Sequence, residues 1–92
     1  MPDSMITKPQ AQTMRLRIIA ALDTDDETSE RDEDNKVVVD IDQRFVKQIF
    51  PDTLAMSEWC KTWNIETTEY EIPHTRRTNN RSQWVRFKKP DV

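Results

Sequence analysis

The chain has no glycine in its 92 residues. Every backbone position that needs a positive φ must then be filled by a residue with a Cβ, and Asn and Asp tolerate that conformation best. Asn35, Asn64, Asn79 and Asn80 are therefore the candidate turn and cap residues. The same absence excludes glycine phosphate-binding loops, which need a backbone approach that a Cβ blocks.

A chain of this length buries about 60–65% of its unfolded surface, so one domain with a small core is expected. Most of the bulk comes from Phe45, Phe50, Trp59, Trp63, Tyr70, Trp84 and Phe87. Cys60 is the only cysteine, which rules out an intrachain disulfide and fits a reducing compartment. One Cys and one His cannot make a structural zinc site within one chain. The longest apolar run, residues 18–22, is far too short to span a membrane. The first residues show no signal-peptide pattern, so a cytoplasmic protein without membrane partners is expected.

Residues 1–6 read as a tail. Thr7 and Gln10 match a capping box, with Pro9 tolerated in the first turn. Ala11, Met14, Ile18, Ala21 and Leu22 follow at helical spacing, with Leu16 and Ile19 widening the arc, and predict a first helix over 8–22. Met14, Leu16, Ile18, Ala20 and Leu22 also alternate as a strand would. On that reading the architecture becomes ββ-α-ββ. Residues 36–41 form a β-branched strand, and Asp40 or Asp42 caps a second helix whose buried face is Phe45, Val46, Ile49 and Phe50. A third helix over 53–63 presents Ala55, Met56, Trp59, Cys60 and Trp63 inward, and Asn64 ends it. Two strands, 65–73 and 83–88, close the chain as a hairpin with a polar loop over 74–82.

Charge is split along this frame. Residues 23–34 hold eight acids and one base; residues 74–89 hold six bases and no acid. The acidic loop, 23–35, has nothing to bury and is expected to be mobile. The basic arm suggests a grip on an anion. Arg76, Arg77, Arg81, Arg86, Lys88 and Lys89 suit phosphate, while Asn79 and Asn80 can bond sugar, phosphate or base edges. Trp84 shares its strand face with Arg86 and Lys88 and is the better stacking candidate, the alternative being packing on the inner face of the hairpin. Asp23, Asp25, Glu27 and Asp34 sit at EF-hand-like offsets, but Thr28 stands where the sharp-turn glycine belongs. No metal, cofactor or catalytic constellation is expected, and the chain reads as a binding protein rather than an enzyme.

The order α-β-α-α-β-β, with a basic loop between the last two strands, resembles a winged helix-turn-helix domain. The α+β fold class follows from the elements; the winged-helix form is what the resemblance implies. It also implies a recognition helix at 53–63, with Ser57 and Lys61 toward DNA, and a wing at 74–82. DNA is then favoured over RNA, and a regulator or accessory factor, such as a phage or mobile-element product, is the implied role. The helix is poor in base-reading residues, and Glu58 repels phosphate.

The alternative is a protein-interaction module or small inhibitor, anti-CRISPR-like, docking a basic host protein through Asp25, Asp26, Glu27, Glu30, Asp32, Glu33 and Asp34. The opposite poles also permit a head-to-tail homodimer. A basic surface continuous from the third helix to the hairpin favours duplex binding; an acidic patch between them favours a protein partner.

Overall fold

A capping box starts the first helix. Thr7 Oγ1 accepts from the Gln10 N–H, and the Gln10 side chain accepts from the Thr7 N–H at 2.8 Å. The computed structural model describes residues 6–24, 26–72 and 82–90. In it, helix α1 spans Lys8–Asp23, so the alternating-strand reading of 14–22 and its ββ-α-ββ architecture are overturned. The cap and the helix-forming residues outweigh a period-2 pattern that the same residues happen to satisfy. Ala11, Ile18 and Leu22 are buried as the spacing predicts, whereas Leu16 and Ala21 are exposed.

Strand β1 (Val38–Asp42) runs directly into α2 (Gln43–Ile49), with Asp42 as both last strand residue and N-cap. Its carboxylate accepts from the Arg44 N–H at 2.8 Å. Asp52 caps α3 (Thr53–Trp63) in the same way, accepting from the Ala55 N–H at 2.8 Å. Asn64 then takes a left-handed conformation, φ 55°, and its N–H bonds back to the last turn. Asn35 is the other positive-φ residue among those described, at φ 64°. Two of the four asparagines singled out by the missing glycine therefore fill that role.

Strands β2 (Glu66–Ile72) and β3 (Ser82–Lys88) pair antiparallel, and β1 pairs on the other side of β3, giving the order β1-β3-β2. The result is a small α+β domain of three helices and a three-stranded antiparallel sheet. Val39, Ile41, Val85 and Phe87 share the sheet face that packs on the helices. Phe50, Trp59 and Phe87 meet there with ring centroids 5.2–6.4 Å apart. Arg15 fastens α1 to the end of α2: its guanidinium donates twice to the Ile49 carbonyl, at 2.9 and 3.2 Å, and lies 4.6 Å from the Phe50 ring centroid.

Two expectations change. Trp63, placed in the core by its i, i+4 relation to Trp59, is 48% exposed. Of the last turn of α3 only Cys60 is buried. The acidic loop is also more organised than its composition suggests. Asp32 N–H donates to the Lys36 carbonyl and Val38 N–H to the Glu30 carbonyl, at 2.9 and 3.0 Å, while Arg31 and Val37 form a β-bridge. Residues 30–32 thus run beside 36–38 through a turn closed by Asn35. Hydrogen bonds to β1 and its approach supply the order that apolar burial does not.

Candidate interaction surface

Strand β3 alternates, so Trp84, Arg86 and Lys88 face away from the helices. By register they share this open face with Asp42, Asp40 and Val38 on β1 and with Tyr70, Thr68 and Glu66 on β2. No helix covers it. Trp84 thus lies on the face opposite Val85 and Phe87.

Its centre is a bonded cluster. Arg86 Nε and NH2 donate to the two Asp40 carboxylate oxygens at 2.8 and 3.0 Å, a two-point fork. The guanidinium carbon lies 5.0 Å from the Tyr70 ring centroid. The Tyr70 phenol and the Asp40 carboxylate influence each other's protonation. Burial alone pushes the Asp40 carboxyl upward, but the hydrogen bonds from Arg86, the Tyr70 phenol and the Arg86 charge hold it below its ordinary value. Burial, and then the neighbouring Asp40 carboxylate, push the Tyr70 phenol up to about 12. Arg86 is held more firmly protonated by its bonds to Asp40.

The acidic segment closes one end of the same face. Lys88 Nζ lies 3.7 Å from Asp32 Oδ2, and Lys89 pairs with Asp23. The Asp32 side chain is only 10% exposed and also accepts from the Lys36 and Asp34 N–H groups, both at 2.9 Å. The Lys36 bond is the main reason its carboxyl lies below the ordinary value. Val38, which register puts on this face, is 3% exposed. Asp26 turns back on Thr28 in an Asx turn, whereas Glu27, Glu30, Glu33 and Asp34 are exposed.

These contacts revise the charge split. Each arm base among the described residues has an acid beside it: Arg86 with Asp40, Lys88 with Asp32, Lys89 with Asp23. Asp42 is matched as well, by Arg44 at 2.9 Å. Arg76, Arg77, Asn79, Asn80 and Arg81 lie outside the described residues, as does Asp25. The pairing of Ile72 with Ser82 makes the intervening nine residues the connection between β2 and β3.

Ser57 and Lys61 are exposed on α3 and line a cleft of about 520 Å³ between that helix and β2. Glu66, Glu69 and Glu71 are exposed along β2, the strand that follows this helix. Cys60, on the inner wall of the cleft, is buried, and burial pushes its thiol up to about 11, where it is a poor nucleophile.

The Asp40–Arg86–Tyr70 cluster was not singled out from sequence. Its signal was present in VVVDID, where Asp40 and Asp42 alternate with Val39 and Ile41. That alternation gives a shared face but not which β3 residue stands opposite. Among the described residues no group of three His, Cys, Asp or Glu could hold a metal ion, and no helix is long and apolar enough to cross a membrane. No family model matches the chain, and neither a curated protein nor a solved structure matches it.

Proposed function

We propose that this is a small nucleic-acid-binding protein of winged-helix type, DNA rather than RNA, whose β2–β3 hairpin is the contact arm. The observation that carries the reading is the register. Strands paired through Ile72 and Ser82 present a connection whose sequence, PHTRRTNNR, has three arginines and no acid. Arginine forks match phosphate oxygens two at a time, and neutralising phosphates releases counterions. The element order and the hairpin that follows α3 support the winged-helix form. The glutamates of β2 argue against deep readout by α3, so the arm carries the contact and sequence preference is weak. A regulator or accessory factor fits such a binder.

Fluorescence anisotropy of the whole chain with labelled DNA at two salt concentrations tests this. Binding that falls steeply with salt, and falls further in Arg76→Ala/Arg77→Ala while the circular dichroism melt is unchanged, is the expected result. No binding at low salt removes the reading.

A second reading has its own observation. Glu27, Glu30, Glu33 and Asp34 are exposed, and β2 adds exposed Glu66 on one face of the sheet and exposed Glu69 and Glu71 on the other. A basic protein partner would find complementary charge on both. Charge reversal at Glu30 and Glu33 that abolishes a partner's binding, with DNA affinity intact, would favour it.

A further inference from the structure

The two edges of the sheet are finished differently. Outside β1, residues 30–32 run beside 36–38, with the Val38 N–H donating to the Glu30 carbonyl at 3.0 Å and a bridge between Arg31 and Val37. Outside β2 no strand lies among the described residues. That edge is accessible on both faces. Glu66 and Thr68 are exposed on the open face, and Thr67 and Glu69 on the face of Val85 and Phe87. Thr67 stands opposite Phe87, and Glu69 opposite Val85, so the packing that buries β3 stops one strand short. Between α3 and β2 it leaves two clefts of about 520 and 340 Å³ that share Thr53 and Met56. Thr67 lines the first and Glu69 the second. The charge of the edge has one sign: residues 64–72 hold three acids and no base.

We propose that the outer edge of β2 docks a basic, extended segment of a partner protein, which adds to the sheet as a further strand beside residues 66–70. The inference rests on the second reading above, a basic protein partner, and names the element that receives it and the form it takes. An edge strand offers a row of main-chain donors and acceptors that another strand can pair, and such pairing supplies affinity while alternate side chains supply specificity. Here the specificity is for positive charge. Exposed Glu66 lies on one face and exposed Glu69 on the other, so an added strand meets a carboxylate on whichever face its bases point. Opposite charges on paired strands attract, and like charges set opposite each other repel. A second copy of this chain would bring one acid-bearing β2 against another, so the edge selects a partner of the other sign. Apolar side chains of the added strand that point to the helix side lie on the side of the clefts, where Met56 lines both and Val46 and Phe50 line the second.

The test uses the whole chain and labelled peptides as long as β2, which has 7 residues. One alternates lysine and valine, and one alternates glutamate and valine. A third is the lysine peptide N-methylated at its central residues, which keeps the charge but removes main-chain donors. Anisotropy titrations at low salt should show binding of the lysine peptide, about tenfold weaker binding of the methylated one, and none of the glutamate peptide. Amide hydrogen exchange within residues 66–70 should slow when the lysine peptide binds. Glu66→Lys/Glu69→Lys should weaken the lysine peptide about tenfold or more, and Glu66→Gln/Glu69→Gln serves if that variant melts early. Equal binding of the methylated peptide, or unchanged exchange over 66–70, would overturn strand addition. Loss of binding in Glu30→Lys/Glu33→Lys, with Glu66→Lys/Glu69→Lys unaffected, would overturn this site and leave the basic-partner reading standing on the acidic segment. Sedimentation of the unaltered chain as a dimer, with 66–70 already protected, would give the edge to a second copy and overturn the proposal. Failure of the lysine peptide to bind at all would overturn the basic-partner reading itself.

Discussion

Val85 and Phe87 are 1% and 0% exposed, while Trp84, Arg86 and Lys88, which alternate with them, keep contact with solvent. One strand thus separates two kinds of stabilisation. Behind it, apolar side chains from α1, α2 and α3 meet without any buried charge. In front of it, charged groups are held in fixed pairs at the boundary of water. The contrast shows where the fold gains its free energy and where it keeps residues available for a ligand. Burial of apolar surface is non-directional and tolerates no water, so the inner face has nothing left to offer a partner. Paired charges at partial exposure stabilise far less, but they set geometry.

The largest expected effect tests the inner face. Phe87→Ala should lower stability by about 3–5 kcal/mol, a large share of what a small domain possesses. Urea unfolding followed by fluorescence reads it. A loss below about 1 kcal/mol would mean that the aromatic cluster of Phe50, Trp59 and Phe87 is not the centre of the core.

The outer face should respond to pH where the inner one does not. Asp40 binds protons less readily in the folded chain than in the unfolded one, because its carboxyl lies below the ordinary 3.8. Its contribution is therefore present above that value and is lost as pH falls through the lower folded value. Tyr70 has the opposite sign. Its folded value is pushed up from 10.0 to about 12, so its contribution is present below pH 10 and fades between about 10 and 12. Asp40→Ala should cost about 1–3 kcal/mol at neutral pH, since it strands the guanidinium of Arg86. Melts across pH should show both slopes weakened in that variant, and Tyr70→Phe should remove the alkaline one. Unaltered slopes would show the cluster to be a surface contact without energetic weight.

Trp63→Ala should change stability by no more than about 1 kcal/mol, because half-exposed side chains lose little when truncated. The same urea experiment checks it, and a loss as large as that of Phe87→Ala would return Trp63 to the core. The smallest effect on stability is expected at the acidic segment. Asp23→Asn with Asp32→Asn removes the partners of Lys89 and Lys88 and should leave the melting temperature nearly unchanged. It should tighten DNA binding at low salt, where freed lysines are least screened, and the gain should fade as salt rises. Unchanged affinity would show that these ion pairs do not mask the arm.

Local rules acting within a few residues made several features legible. The Thr7–Gln10 capping box and the left-handed Asn64 each depend on neighbours in the chain, and each is where the sequence puts it. Asn35 follows from the same logic of a chain without glycine. Helical spacing correctly separated Val46, Ile49 and Phe50 from the polar side of α2. Spacing failed for Trp63, since periodicity says which face a residue is on but not how much of that face the rest of the chain covers.

The candidate surface was legible only in part. Alternation in residues 83–88 put Trp84 with Arg86 and Lys88, yet it left open whether that face looked toward the helices. Likewise, the opposite charge runs were plain, while their contact was not. Asp32 meets Lys88, Asp40 meets Arg86 and Asp23 meets Lys89 across separations of 46 to 66 residues for the latter two. By itself the sequence determined element types, caps, the left-handed positions and the separation of charge, because these depend on backbone sterics and short-range hydrogen bonding. Tertiary structure alone decided the strand order, the register that sets Asp40 beside Arg86, and which face of β3 stays open. Those follow from how three helices share one small sheet, a packing problem that no local stretch of residues contains.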